Sequence, residues 1–391
     1  MSADAPGEGS GQASASMLHP DPHASPAPGG RGALFRRGLV VGKFCPLHRG
    51  HELLIDTALA QCDEVLLISY TRPAFDGCEA AARERWLAER FPQTRRLVLD
   101  DERFAALAAR HGWPGPPVLP HNDEADAVHR DFVGWLCDRV FDCSVDAVFT
   151  SEDYGDGFAA ALGHGFRRYR DPAHADVRHV CVDRARRAIP ISGTAIRRDP
   201  HAHREHLAPV VYADFVQRVC LLGGESSGKT TLAAALAARL GTPWVAEYGR
   251  QRWEEQDGKL VFDDLLQIAR TQLEHEHQLA RQANRWLVCD TSPLTTLLYS
   301  HALFGRAAPE LEQLAGRAYH HVFLCAPDFP FVQDGTRQDE AFRQQQHAWY
   351  LRELERRGIA FTLLRGRLDQ RIDAALQVLM ANDAVACNTP G

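Results

Sequence analysis

The chain has 391 residues, a net charge of −7 at pH 7, and 45% hydrophobic and 24% charged residues, a length that favours two globular domains over one. The acidic balance argues against a protein dominated by binding to nucleic-acid backbone. No stretch has the length and apolarity of a membrane span and no signal peptide is recognisable, so neither a membrane protein nor a secreted one is predicted.

The N-terminal segment, residues 1–33, consists mostly of Gly, Ser, Ala and Pro and shows no apolar periodicity. Such a segment cannot bury enough surface to offset the entropy lost on ordering, so it is predicted to be disordered. Met17 is an alternative first residue, and the sequence does not decide between it and Met1.

Short apolar runs alternate with helical stretches between residues 34 and 214. Strands are predicted in LVVGKF, EVLLISYT, RRLVLDD, DAVFTSEDYG and RHVCVD, and helices in HELLIDTALAQC, EAAARERWLAER and EADAVHRDFVGWLCDRVF. This alternation predicts a parallel sheet covered by helices on both faces. The Gly- and Pro-rich loop HGWPGPPVLPHND fits either a pocket wall or a plain surface connection.

A second strand–helix series occupies residues 215–386, after a boundary between residues 209 and 217. It begins with QRVCLLGGESSGKTTLAAALAARL and continues with RWLVCDTSPLTT, HHVFLCAP and FTLLRG. The predicted fold class is therefore α/β, with two tandem parallel-sheet domains. The two halves are not copies of one repeated sequence: their predicted phosphate loops have different motifs.

The ten cysteines are scattered along the chain and form no C-x-x-C pair. Several lie inside apolar runs, as in RVCLLGG and WLVCD. This usage predicts reduced core thiols in a cytoplasmic protein.

The second half carries the more specific phosphate motif. GGESSGKT, residues 223–230, fits G-x-x-x-x-G-K-[ST] and lies between a predicted strand and a predicted helix. Its glycines let backbone N–H groups turn towards a β-phosphate, Lys229 reaches the β- and γ-phosphates, and Thr230 can ligate Mg²⁺. The predicted ATP contacts in this loop are Gly223, Gly224, Glu225, Ser226, Ser227, Gly228, Lys229, Thr230 and Thr231.

Two further features suit phosphoryl transfer. Asp290 ends the strand WLVCD, where it can bind Mg²⁺ through water or take a hydroxyl proton; a helix N-cap is the alternative. Arg337 and Arg343 follow another strand in DGTRQDEAFRQQQ and could close over the transferred phosphoryl group. A solvated helix is the alternative for both arginines.

The first half carries a second candidate phosphate site. GKFCPLHRGH places His48 and His51 in an H-x-G-H pattern between a strand and a helix, and ISGTAIRRD places Ser192, Thr194 and Arg197 at a second helix start. The histidines can hydrogen-bond phosphate oxygens as charge builds at the α-phosphorus of ATP, and the second segment can hold the β- and γ-phosphates. The other predicted ATP contacts here are Gly42, Lys43 and Phe44.

H-x-G-H together with I-S-x-T-x-x-R resembles the nucleotidylyltransferase superfamily. With the P-loop that follows, the whole resembles the bifunctional NadR-type proteins over about residues 35–380, as do YTRP, SEDYGDGFA, EYGR, CDTSPLTT and DGTR. The resemblance implies a Rossmann-like nucleotidylyltransferase domain followed by a P-loop kinase domain. It also implies Mg²⁺, ATP as co-substrate, phosphorylation of nicotinamide riboside, and adenylyl transfer to nicotinamide mononucleotide, which gives NAD and pyrophosphate.

The chain departs from that family in two places. Some members carry an N-terminal helix-turn-helix domain, for which residues 1–33 are too short and too polar, so no DNA partner is expected. Members often have Trp soon after I-S-x-T-x-x-R, where this chain has Arg204. Homo-oligomerisation is left open.

Several residues are weaker candidates. Arg72, Glu247 and Arg250 are predicted substrate contacts, with a surface ion pair as the alternative for Arg72. The pattern H-x-H-x-x-H at residues 201–206 invites a metal hypothesis, but a surface helix start explains it better. The sequence also offers Trp86, Trp113 and Trp135, which could stack on nicotinamide, although core packing is the commoner fate of a Trp.

Motifs of this kind predict ATP binding, but they do not identify the molecule that accepts the transferred phosphoryl or adenylyl group. Two alternatives therefore stay open: the same two reactions on another phosphorylated metabolite and another nucleoside, or a nucleotide-sensing regulator with a catalytically weak domain. The intact His48, His51, Lys229 and Asp290 favour an enzyme.

Overall fold

The computed structural model describes residues 32–331 and 339–386. It contains two parallel five-stranded sheets, each covered by helices, which confirms the predicted fold class. The predicted disordered segment lies almost entirely outside the described residues, and Arg337 lies outside them as well.

The first sheet has the strand order β3-β2-β1-β4-β5, and every adjacent pair is parallel. Its strands are β1 (Phe35–Val41), β2 (Cys62–Tyr70), β3 (Arg95–Leu99), β4 (Ala147–Thr150) and β5 (Arg178–Cys181). The helices of this half are α1 (Arg49–Gln61), α2 (Ala80–Arg90), α3 (Asp101–His111), α4 (Asp126–Arg139), α5 (Gly155–Tyr169), α6 (Gly193–Arg198) and α7 (Pro209–Tyr212).

The second sheet has the order β10-β9-β6-β8-β7 and is also entirely parallel. Its strands are β6 (Gln217–Leu222), β7 (Trp244–Val245), β8 (Trp286–Asp290), β9 (His321–Cys325) and β10 (Thr362–Leu364). The helices are α8 (Lys229–Leu240), α9 (Tyr248–Glu255), α10 (Phe262–Ala280), α11 (Pro293–Phe304), α12 (Pro309–Leu314), α13 (Glu340–Arg356) and α14 (Leu368–Ala386).

The central strand of each sheet is apolar because both of its faces are covered. In β1, Leu39 packs in the cluster beneath α4 and α5, and the next residue, Val40, packs in the cluster beneath α1 and α2. In β6, Val219 and Cys220 divide between two clusters in the same way. Successive strand residues point to opposite faces, so a doubly covered strand needs a continuous apolar run instead of an alternating one.

Each sheet has a point where the chain order reverses. β1 lies between β2 and β4, and β6 lies between β8 and β9. In open parallel sheets, ligands bind beyond the carboxyl ends of the strands at such a switch point. The two predicted phosphate loops directly follow β1 and β6, so the topology brings each of them to a switch point.

The remaining general expectations concern membranes and thiols. Within the described ranges, none of the helices is both long and apolar enough to cross a membrane. The nine cysteines in the described part of the chain are free, and only Cys181 is exposed.

Candidate active sites

The first cavity lies beyond the carboxyl end of β1 and has a volume of about 540 Å³. His48 is the N-cap of α1, with extended backbone (φ −131°, ψ 169°), and its Nδ1 accepts a hydrogen bond of 3.1 Å from the Gly50 N–H. The H-x-G-H pattern is thus a capping arrangement as well as a candidate phosphate site. All eight ATP contacts predicted for this half line the cavity: Gly42, Lys43, Phe44, His48, His51, Ser192, Thr194 and Arg197.

The two histidines are stacked and neutral. Their ring centroids lie 3.7 Å apart at an interplanar angle of 22°. Burial lowers the pKa of His48 to about 4, with a smaller contribution from Arg186. Burial, followed by the neighbouring His48 ring, lowers the pKa of His51 well below its ordinary value. Because Nδ1 of neutral His48 accepts a hydrogen bond, its proton lies on Nε2, and His48 can donate one hydrogen bond there.

The two motifs, which are about 145 residues apart in sequence, meet at the backbone of Cys45. Arg197 Nη1 donates to the Cys45 carbonyl at 2.5 Å, and a Cβ on Gly193 would lie 3.0 Å from the same oxygen. Ser192 is the N-cap of α6, and its Oγ accepts from Ala195 N at 3.2 Å. The Arg197 guanidinium also lies 4.2 Å from the centre of the Phe75 ring. These contacts fix the second helix start against the first motif.

Other residues of this cavity were not among its predicted ATP contacts, although Tyr70 belongs to the YTRP motif and Tyr154 to SEDYGDGFA. The end of the Gly- and Pro-rich loop reaches the wall, where Asn122 O accepts from Lys43 Nζ at 3.0 Å. Tyr70 OH and His129 Nδ1 are hydrogen-bonded at 2.8 Å beside it. Of the tryptophans considered for stacking, Trp86, Trp113 and Trp135, none lines either cavity.

The second cavity, of about 420 Å³, lies at the carboxyl end of β6. The phosphate loop forms one wall, and every predicted loop residue except Gly224 lines it. Gly223 has φ +148°, and a Cβ there would lie 2.6 Å from Ser227 Oγ and 2.9 Å from the Cys325 carbonyl, so the position requires glycine. Lys229 Nζ donates to the Gly224 carbonyl at 3.1 Å across the loop.

Asp290 lies beneath this loop, at the end of β8. It is fully buried, and its Oδ2 accepts a hydrogen bond of 2.6 Å from Thr230 Oγ1. Its other oxygen, Oδ1, has no hydrogen-bond partner among the described residues. Burial, and then the charge of Glu247, raise the pKa of Asp290 to about 6, while Lys229 and Thr230 act in the opposite direction. Ser292, not Asp290, is the N-cap of α11, so the helix-cap alternative for Asp290 is wrong.

The far wall of the second cavity is both apolar and acidic. Glu247 and Arg250 line it, and Thr295 of the CDTSPLTT motif lies beside them. The other lining residues there were not predicted as contacts: Trp253, Leu265, Gln272, Tyr299, Gln346 and Tyr350. Tyr299 OH donates to Glu225 Oε1 at 2.9 Å and accepts from Gln346 Nε2 at 3.1 Å, while Gln346 Oε1 accepts from Glu225 N at 2.7 Å. This ring of hydrogen bonds joins the phosphate loop to α11 and α13.

Two arginines that were considered as ligand contacts, Arg72 and Arg343, line neither cavity. Arg72 does not line the first cavity: its guanidinium donates to the Leu119 carbonyl at 3.1 Å and pairs with Asp101 at 3.5 Å, which is the ion-pair alternative. Arg343 is 3% exposed and donates to the Phe329 carbonyl at 2.9 Å and to Ser226 O at 3.3 Å. It is therefore a buried support of the phosphate loop. The solvated-helix alternative for Arg343 is wrong, and its side chain does not line the cavity in which it was predicted to close over a phosphoryl group.

The histidines considered as metal ligands, and Arg204 beside them, form neither a metal site nor part of either cavity. The rings of His203 and His206 are 6.4 Å apart, and the described residues contain no group of three or more His, Cys, Asp or Glu able to hold a metal ion. Arg204, at the departure from the family pattern, lies over the Tyr212 ring at 5.3 Å and donates to Asn284 Oδ1 at 2.9 Å. It thereby takes part in the contact between the two halves of the chain.

Comparison with known proteins agrees with this geometry. Residues 218–371 match the family model described as an AAA domain. The trifunctional NAD biosynthesis/regulator protein NadR of Escherichia coli (strain K12) is 29% identical over 313 residues, covering 77% of this chain and 71% of that protein. Its counterpart from Salmonella typhimurium is 28% identical over 316 residues, with the same coverage.

Two solved structures share the fold over most of the chain. A crystal structure of NadR in complex with NR has a TM-score of 0.61 at 23% identity, covering 88% of this chain and 96% of that one. A NadR structure in complex with NAD and AMP-PNP has a TM-score of 0.61 at 22% identity, with the same coverage. The chain is homologous to the NadR proteins, which confirms the resemblance drawn from its motifs.

Proposed function

We propose that this chain is a bifunctional enzyme of NAD salvage. Its second domain phosphorylates the 5′-hydroxyl of nicotinamide riboside with ATP, and its first domain transfers the adenylyl group of ATP to nicotinamide mononucleotide, giving NAD and pyrophosphate. One observation carries the proposal: two cavities, each lined by a different predicted phosphate motif, lie at the switch points of two sheets in one chain. Homology to NadR supports the choice of substrates.

Adenylyl transfer in the first domain needs a site that stabilises charge on the phosphates without a covalent intermediate. Neutral His48 would donate from Nε2 to an oxygen of the α-phosphate, with His51 beside it. Arg197 and the N-terminal end of α6 would hold the leaving pyrophosphate. Donors that are fixed before reaction stabilise the developing charge without reorganisation, and holding both substrates together supplies the rest of the rate.

The second site fits a magnesium ion. Thr230 offers a hydroxyl oxygen, and Asp290 offers a buried carboxylate whose Oδ1 lacks a hydrogen-bond partner among the described residues. Oxygen donors of this type suit Mg²⁺, which would neutralise charge on the β- and γ-phosphates. Lys229 and the backbone N–H groups of the phosphate loop would hold the same phosphates.

The acceptor would enter from the side of Glu247 and Trp253. Glu247 lines that side, and its charge raises the pKa of the buried Asp290; either carboxylate could take the proton of the attacking hydroxyl. An apolar wall beside carboxylates suits a flat, positively charged base such as nicotinamide, because it offers ring contact and opposite charge together.

Two single substitutions test the assignment, one in each site. Lys229→Ala should abolish phosphorylation of nicotinamide riboside and leave NAD formation from nicotinamide mononucleotide intact. His51→Ala should do the reverse and lower the kcat of NAD formation about 10²–10³-fold with little change in the KM for ATP, as is typical when a donor to the transition state is lost. Both rates are measured on each purified full-length variant.

Exposed residues of the same types serve as controls. Lys259→Ala and His164→Ala should keep both activities, since neither residue lines a cavity. If Lys229→Ala lost both activities while folded, the two-site proposal would fail. If the wild-type chain acted only on other acceptors, the chemistry would stand and the nicotinamide substrates would be wrong. A chain that bound ATP at both sites without turnover would instead be a nucleotide sensor.

A further inference from the structure

Arg371, on the C-terminal helix α14, is buried against the back of the phosphate loop. It is 1% exposed, and its guanidinium reaches four groups on three different segments. Nε donates to the Gly366 carbonyl at 2.9 Å, Nη1 to the Ser227 carbonyl at 2.8 Å, and Nη2 to the Ala326 carbonyl at 2.8 Å. Nη2 also pairs with the carboxylate of Asp328.

The contact with Ser227 determines the direction of a neighbouring N–H group. A trans peptide unit is planar, and its C=O and N–H bonds point in opposite directions. When Arg371 holds the Ser227 carbonyl away from the cavity, the N–H of Gly228 must therefore point to the opposite side. Gly228 lines the cavity, and its backbone has φ +79°. N–H groups turned inward in this way are what a phosphate loop uses to hold phosphate.

A second contact acts on the same glycine. The guanidinium of Arg371 lies 4.3 Å from the centre of the Phe329 ring. The edge of that ring would be 3.1 Å from a Cβ at Gly228. Phe329 therefore packs between Arg371 and the loop, so displacement of the arginine would also free the ring that supports Gly228.

We propose that Arg371 is a positioning residue for ATP: it holds the Ser227–Gly228 peptide so that the Gly228 N–H faces the phosphates in the second site. The inference rests on the proposed function only in taking the second site to bind ATP. Arg371 does not line the cavity, so it acts through the loop and not by contact with the nucleotide.

Kinetics of the full-length protein test this role. Arg371→Met should raise the KM for ATP in the phosphorylation reaction about 10- to 100-fold, the effect expected on losing one well-placed hydrogen bond to a charged group. The KM for nicotinamide riboside should stay within about twofold, because the acceptor wall is built by other residues. NAD formation at the first site should be unchanged.

A purely structural role predicts a different result. Loss of stability lowers the fraction of active enzyme, which reduces the maximal rate and leaves both KM values as they were. Arg371→Met with a wild-type KM for ATP and a lowered melting temperature would therefore overturn the proposal. Arg356→Met removes an exposed arginine from α13 and should change none of these quantities.

Arg371→Lys is a second variant that tests the same role if the Met variant does not fold. Lysine retains the positive charge but cannot reach three carbonyls with one planar group, so we expect a KM for ATP between those of the wild type and the Met variant. A wild-type KM in this variant would count against the proposal. Titration with MgADP needs no acceptor: Arg371→Met should weaken the same binding event that Lys229→Ala weakens, whichever nucleoside the enzyme phosphorylates.

Discussion

At the scale of single residues, burial disfavours the charged form of one ionisable group in each site. The first site keeps an imidazole neutral: His48 lies at the N-terminal end of α1, where the helix dipole disfavours a cation, and it is 6% exposed. In the second site, burial and then the charge of Glu247 raise the pKa of the Asp290 carboxylate to about 6. Each state is set by burial and immediate neighbours, so each makes a prediction that depends on pH.

The neutral state of His48 should appear in the stability of the protein. Its pKa is about 4 when folded and about 6.5 when unfolded, so between these values the unfolded chain binds more protons. His48 should therefore lower the free energy of unfolding as the pH drops from 6.5 towards 4, by up to about 3 kcal/mol. Urea unfolding at a series of pH values between 4 and 8 measures this slope.

His48→Asn is the matched variant for that measurement. Asparagine can still cap α1 but carries no proton in this range, so the variant should lose stability less steeply as the pH falls. The difference between the two curves is the contribution of His48 together with its effect on the pKa of the neighbouring His51 ring, because the other titrating groups are shared. Parallel curves for the two proteins would show that the folded pKa of His48 is not depressed.

The raised pKa of Asp290 should appear in the kinetics of phosphorylation. Magnesium binding and proton acceptance both require the carboxylate form, so kcat/KM should rise as the pH increases through about 6, the pKa of this group in the free enzyme. Asp290→Asn should lower the rate and remove this limb of the profile. NAD formation by the same protein uses the same MgATP and is the control for titration of the nucleotide. A limb that persisted in Asp290→Asn would show that another group causes it.

At the scale of elements, local sequence pattern predicted most of the fold. Nine of the ten strands lie in apolar runs that the sequence indicates, because strands covered on both faces must be continuously apolar. The exception is β7, Trp244–Val245, whose two residues are too few to form a pattern. The helix start signals at His48 and Ser192 are equally local, and both are N-caps in the structure.

Most of the far wall of the second cavity, apart from Glu247 and Arg250, could not be predicted in this way. Tyr299 and Gln346 lie in the middle of α11 and α13, where a polar residue predicts only an exposed helix face. They meet Glu225 through the packing of three separate elements. Arg371 is a similar case, since nothing in the local sequence of α14 distinguishes it from the exposed Arg367 four residues before it. Only the three-dimensional arrangement separates these roles.

At the scale of the whole molecule, the two sheets share one apolar cluster. It includes Val40 and Trp86 of the first half, Val211 in α7, and Leu287 and Cys289 in β8 of the second half. Polar contacts between the two halves flank it: Arg281 forms two hydrogen bonds of 2.8 Å with Glu89, and Arg204 donates to Asn284. Contacts between domains are usually polar and permit independent motion, whereas an apolar cluster of this kind joins two domains into one cooperative unit.

The full-length chain should therefore unfold in a single transition in the absence of nucleotide. Heating should abolish both activities at the same temperature, and Val211→Asp should lower that temperature for both together, since it places an unpaired charge at a position with 0% exposure. Arg281→Ala is the matched change at the exposed edge of the same contact and should cost less than about 1 kcal/mol. Calorimetry, with the two activities assayed after each heating step, measures these shifts. Two separate transitions, or a Val211→Asp variant that loses only one activity on heating, would mean that the domains fold independently despite the shared cluster.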